Sequence, residues 1–123
     1  FNGHVQIKCK ISTIDKFMKN RRKAIDLIKC DVEGAELFVF RGAIKTLKRC
    51  RPIIFTEMLR KWSKKFGYHP DDIINLLSGL GYRCYGYINN KIKRIDYVSP
   101  ELETTNFFFF HEAKHKKIIK SLK

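Results

Sequence analysis

Residues 24–32 (AIDLIKCDV) constrain this chain more than any other stretch. Their apolar side chains nearly run together, the pattern of a parallel strand covered on both faces. The run closes on Asp31, and Glu33 and Gly34 then turn the chain toward a helix that begins near Ala35. Strand, acid, glycine turn and helix form the repeating unit of open α/β sheets. Such sheets bind their ligands at the carboxyl ends of the strands.

The rest of the chain continues that unit. Leu37, Phe40, Ile44 and Leu47 fall at helical spacing and form one stripe. Glu33 and Glu36 sit at the positive end of this helix and Lys45, Lys48 and Arg49 at its negative end, as the macrodipole prefers. Gly42 weakens the interior by about 1 kcal/mol relative to Ala, which predicts close packing or a kink. Pro52 opens a strand over residues 53–57 (IIFTE). A basic, aromatic loop over 58–68 leads to Pro70, Asp71 and Asp72, which suit a helix start. Ile73, Ile74, Leu77 and Leu80 supply its buried face, and Gly81 ends it. Residues 82–88 predict a strand, turned at Asn89 and Asn90 into a second over 91–97. A polar loop (99–104), a strand (105–110) and a basic terminal helix complete the order. Upstream, Val5, Ile7, Cys9 and Ile11 alternate with polar residues and predict a half-buried strand. Ser12 or Thr13 would cap a short helix with Ile14, Phe17 and Met18 on its apolar face. The expectation is an α/β fold, an open, mostly parallel sheet with helices on its faces.

The 123 residues suffice for one domain, and no apolar run approaches the ~20 residues of a membrane-spanning helix. With 26 Lys and Arg against 12 Asp and Glu, the net charge is +14, a balance found in nucleic-acid and anionic-membrane binders. Yet the basic residues are spread along the chain and Lys outnumbers Arg, whereas bidentate readout favours Arg. A solvated surface is therefore expected ahead of a nucleic-acid face. Cys9, Cys30, Cys50 and Cys84 form no CxxC pair, which argues against a zinc cluster. Each lies in or beside an apolar stretch, so buried thiols of a reduced, cytoplasmic compartment are expected.

If the strands ending in Asp31 and Glu57 are neighbours, both carboxylates project into one crevice, with Glu33 nearby. Clustered carboxylates raise one another's pKa and can act as general base, metal ligands or hydroxyl-binding groups. Glu36 is expected only to serve the helix start. Asp31 is expected to be functional, because an acid ending an apolar strand is costly without partners. Residues 111–115 (HEAKH) match the HExxH zinc-protease pattern, in which a helix puts both imidazoles on one face with Glu112 as base. Residues 116–123 offer no third ligand, and the flanking lysines place like charge beside a dication, so coincidence is expected. His4 and His69 read as surface or cap residues. Trp62 and Phe66, interleaved with Arg60, Lys61, Lys64 and Lys65, read as a lid, an anion-binding surface, or aromatics packed on the core.

IKCDVEGAE, the following FRGA, RPIIFTE and LLSGLGY together resemble the C-terminal half of FkbM-type methyltransferases. The upstream STIDKF is similar to that family's Thr-Leu-Asp segment, with Ile14 replacing the Leu. The resemblance spans roughly residues 5–110, and DVEGAE is its most specific part. It implies a class I methyltransferase fold, a seven-stranded sheet ordered 3-2-1-4-5-7-6 with strand 7 antiparallel. This chain would hold strands 4-5-7-6, a partial Rossmann-like sheet. The resemblance also implies O-methylation of a sugar or natural-product hydroxyl with S-adenosylmethionine as donor. Asp31 would lie nearest the reacting centre and the cofactor, with Glu33 and Glu57 supporting the substrate or a divalent metal. The glycine-rich loop and the second-strand acid that hold the cofactor in such enzymes are not among these residues. Gly79 and Gly81 end a helix and precede a strand, the reverse of what a cofactor loop requires. Residues 1–123 are therefore expected to be the C-terminal part of one domain without its cofactor-binding half, inactive in isolation. The strand over 24–32 would then offer a long apolar edge for self-association. The alternatives are a basic nucleic-acid-binding domain, whose affinity would fall steeply with salt, and a non-catalytic truncated α/β domain.

Overall fold

The computed structural model describes residues 3–122, which form six helices and five strands. They are α1 (Ile14–Met18), β1 (Leu27–Cys30), α2 (Glu36–Arg41), α3 (Ile44–Cys50), β2 (Ile53–Glu57), α4 (Arg60–Lys65), α5 (Pro70–Ser78), β3 (Tyr82–Ile88), β4 (Lys91–Ile95), β5 (Asn106–His111) and α6 (Lys116–Ser121). The strands form one sheet in the order β1-β2-β5-β3-β4. The mixed α/β expectation holds. The expectation of a mostly parallel sheet does not, because only β1 and β2 pair in parallel. β5 inserts between β2 and β3 in the opposite direction, and the hairpin adds a further antiparallel pair at Asn89 and Asn90. Both asparagines have positive φ (49° and 62°), the backbone that a two-residue hairpin turn requires.

One face of the sheet builds the core. Ile28 and Cys30, Ile54, Phe107 and Phe109, and Tyr82 and Cys84 are buried on it, packed with Leu37 and Phe40 of α2, Leu47 of α3 and Ile73 and Leu77 of α5. The Tyr82 hydroxyl donates to the Pro52 carbonyl at 2.7 Å, tying the foot of β3 to that of β2 across the end of β5. α5 starts as the sequence suggested, with His69 as its cap: its Nδ1 accepts from the Asp71 amide while Asp72 accepts from the His69 amide. The helix ends at Ser78 with Gly79 as its cap, two residues earlier than expected.

Several expectations are corrected. β1 spans four residues rather than 24–32, and its side chains alternate between exposed and buried. Leu27 is 59% exposed, so the strand is covered on one face rather than two. The unpaired edge of β1 is correspondingly short and carries Lys29, not a long apolar ribbon. Residues 4–13 form no strand: Val5, Ile7 and Ile11 are exposed, and so is Cys9. Alternation makes a strand only where a neighbour completes the ladder, and no described residue does so here. Cys30, Cys50 and Cys84 are buried free thiols as expected. The single helix expected after Gly34 is two, α2 and α3, broken at Gly42. A Cβ there would lie 3.0 Å from the Thr13 side chain, so the break and the close approach coincide. Beside it Asp15 caps α3, accepting from the amides of Lys45 (3.0 Å) and Thr46 (2.8 Å) and from the Thr46 hydroxyl (2.8 Å). Burial alone would raise the Asp15 carboxyl, but these bonds outweigh it and hold it below the usual aspartate range. No helix among the described residues is long and apolar enough to cross a membrane.

Candidate functional site

The parallel pairing of β1 with β2 places Cys30 beside Thr56, so the residues that follow, Asp31 and Glu57, leave neighbouring strands at the same end of the sheet. Thr56 is fully buried, and its hydroxyl donates to the Cys30 carbonyl at 3.0 Å, locking the two strand ends together. After Asp31 the chain turns through Glu33 (φ 54°) and Gly34 (φ 103°). At Gly34 the turn presses on α4, where a Cβ would lie 2.7 Å from the Trp62 carbonyl oxygen. Positive φ and close backbone contact together call for glycine.

Glu36 has a larger role than a helix-end charge. It is buried at 4% exposure, and its Oε1 accepts from the amides of Val32 (3.2 Å) and Gly34 (3.4 Å). The Tyr68 hydroxyl donates to the Gly34 carbonyl at 2.6 Å. The Val32 and Gly34 amides and the Gly34 carbonyl are thus held from inside, and Asp31 and Glu33 are left exposed. Glu57 is half-buried. Burial, and then the carboxylates of Asp31, Glu33 and Glu36, push its carboxyl above the usual glutamate range. The sequence-derived residues Asp31, Glu33 and Glu57 therefore share one electrostatic neighbourhood. Cys30 lies beneath them with its thiol pushed up to about 12, mainly by burial, which leaves it inert as a nucleophile.

The segment over the turn, expected as a loop, carries α4 and packs against α2. Phe66 and Tyr68 meet Phe38 of α2 edge-on at 5.8 and 6.1 Å, and Ser63 is buried. Lys65 and Lys61 lie 4.2 and 5.3 Å from the Trp62 ring centre, and Arg60 donates to the Pro100 carbonyl. Tyr68 packs against the core, whereas Phe66 stays 46% exposed beside Phe38 and Lys61, Lys64 and Lys65 lie on the surface. Sequence reasoning missed Thr56 and Tyr68 and the buried role of Glu36. A threonine at a core-facing register of IIFTE was a usable signal for Thr56; nothing local marks Tyr68.

The HEAKH residues lie at the other end of the sheet. His111 closes β5 and α6 begins only after His115, so no helix presents both imidazoles on one face. His115 Nδ1 accepts from the His111 amide at 2.8 Å, and His111 Nδ1 accepts from the amides of Ala113 and Lys114. Their lone pairs are spent on backbone. Among the described residues no group of three or more His, Cys, Asp or Glu is placed to hold a metal ion.

A family profile described as methyltransferase FkbM domain matches residues 2–84, more than half of the chain. The matched segment contains Asp31, Glu33, Gly34, Glu36 and Glu57. No curated protein and no solved structure matches the chain.

Proposed function

The chain belongs to the FkbM methyltransferase family, and from that premise we propose that it supplies the acceptor side of an S-adenosylmethionine-dependent O-methyltransferase acting on a sugar or natural-product hydroxyl. The observation that carries this reading is the convergence of Asp31, Glu33 and Glu57 at the carboxyl ends of two adjacent parallel strands, above a turn locked by buried hydrogen bonds. Exposed carboxylates suit both a cationic sulfonium donor and a hydroxyl acceptor.

When bound, S-adenosylmethionine supplies the methyl group. Asp31 orients donor and acceptor at the strand end, where alignment lowers the barrier. Glu57, with its affinity for protons raised by burial and by its acidic neighbours, takes the hydroxyl proton. Glu33 holds a further acceptor hydroxyl. The residues present do not make a three-ligand metal centre, and no step is assigned to a metal. On a class I sheet, β1, β2, β5 and β3 would stand for the fourth, fifth, seventh and sixth strands, with the open edge of β1 receiving the first. Residues 1–123 are then the C-terminal part of that single domain, and the buried thiols suit a reducing, cytoplasmic setting.

The test is transfer of labelled methyl from S-adenosylmethionine to panels of sugar and natural-product hydroxyls by the full-length protein. Asp31→Asn is expected to lose turnover with its melting temperature unchanged. Undiminished turnover in that variant removes Asp31 from the site.

A further inference from the structure

A cavity of about 650 Å³ opens between α6 and the sheet. All of its walls come from residues 85–122, beyond the family-matched segment. It is also remote from the carboxylates. Asn106, opposite Glu57, starts β5, whereas His111, opposite Tyr82, ends it, and Glu112 of the cavity wall follows His111.

α6 is fastened at its start. Lys114 Nζ donates to the Cys50 carbonyl at 2.6 Å, and buried His115 grips the His111 amide. The helix itself buries no residue, so it stands over the sheet with a gap beneath. Tyr85 and Ile92 form one apolar wall and Ile119 and Leu122 the other. Arg94, Lys116 and Lys120 supply positive charge. Glu112, the acid in the wall, is paired with Arg83 at 3.0 Å. Arg94 engages exposed Asp96 through Nε alone. Among the described residues no carboxylate lies within ion-pair distance of Lys116 or Lys120, which sit one helical turn apart.

From this arrangement we infer that the cavity binds a single-chain amphiphilic anion, a carboxylate on a hydrocarbon tail. The tail lies between Tyr85, Ile92, Ile119 and Leu122, and the head is held by Lys116 and Lys120. The volume falls in the range of small-ligand sites, and apolar walls with a few convergent charges are their usual chemistry. Inorganic anions would find charge without apolar contact, and neutral chains the reverse.

Calorimetric titration of the full chain with decanoate, decanol, inorganic phosphate and anionic phospholipid vesicles, followed in parallel by methyl NMR, tests this. One decanoate is expected to bind per chain, shifting the Ile92 and Ile119 methyl resonances. Decanol should bind more weakly, and phosphate should produce no such shifts. The double substitution Lys116→Gln with Lys120→Gln, on an exposed helix, should weaken decanoate by about tenfold, two modest ion contacts together. Asp31→Asn should leave it unchanged, which separates this site from the methyl-transfer reading. Equal binding of decanoate and decanol, indifference to the lysine substitutions, methyl shifts confined to other residues, or binding to vesicles alone would each overturn the inference.

Discussion

The two ends of the sheet solve the same problem with opposite consequences. At the end where β1 stops, buried Glu36 holds the turn by accepting from two backbone amides, and Asp31 and Glu33 stay exposed with their oxygens uncommitted. At the end where β5 stops, His115 and His111 hold the turn in the same way, but these imidazoles are themselves the motif residues. DVEGAE thus keeps a scaffold acid separate from the acids available for chemistry, whereas HEAKH commits both histidines to the scaffold. Only lone pairs that remain after the backbone has been satisfied can serve chemistry, and letter spacing does not report them.

The largest expected contrast is in turnover. Asp31→Asn should cost about 10²-fold or more in methyl transfer, while His115→Ala should leave methyl transfer per folded molecule unchanged; a comparable loss in both would erase the contrast. Next, Gly34→Ala should destabilise by on the order of 3 kcal/mol, because it combines a strained φ with contact against the Trp62 backbone. Denaturant midpoints read this, and a neutral substitution would mean that α4 does not press on the turn. Glu36→Ala should cost about 1–3 kcal/mol by leaving two amides without their acceptor.

The two smaller effects are pH dependences of opposite sign. Burial, with Arg51 and Lys114 nearby, lowers the proton affinity of His111 and His115 in the fold. Their unfolded value is about 6.5, so stability is complete above that pH and falls as pH drops below it, when the unfolded chain binds more protons. His115→Ala should flatten that acid-side slope, and thermal melts from pH 7 to 5 measure it. Glu57 behaves in reverse, since its folded pKa is raised. The native state binds the extra proton between the unfolded value near 4.3 and the higher folded value, so stability falls as pH rises through that window. Glu57→Gln should therefore be slightly stabilising at neutral pH and without effect below about pH 4. A destabilising Gln at pH 7 would show that Glu57 has a cationic partner instead.

The sequence told most where local signals and tertiary demand agree. Pro70 with its acids marked the start of α5, Asn89-Asn90 marked the hairpin, and the acid after an apolar run marked the end of β1. It misled where a pattern needed a distant partner. Val5, Ile7 and Ile11 alternate as in a strand, yet no described neighbour gives them a ladder. The near-continuous run over 24–32 contracts to four residues because β2 pairs only with that length. That Asp31, Glu33 and Glu57 share one neighbourhood was legible from motif and position. Tyr68 was not, because its role rests on a hydrogen bond to a residue 34 positions away, and Thr56 showed only as a threonine in a core-facing register.

The placement of β5 also governs the order in which the chain can assemble. It is the last of the described strands along the chain and the middle one in the sheet, and the backbone ladder passes from β2 to β3 only through it. During synthesis, β1 with β2 and β3 with β4 can pair as separate ribbons, each a marginal two-stranded unit. They cannot merge into one sheet until Phe107 and Phe109 have left the ribosome. A nascent chain arrested before residue 106 would hold two unfused halves with Ile54, Tyr82 and Cys84 open to solvent, a state that invites chaperone capture.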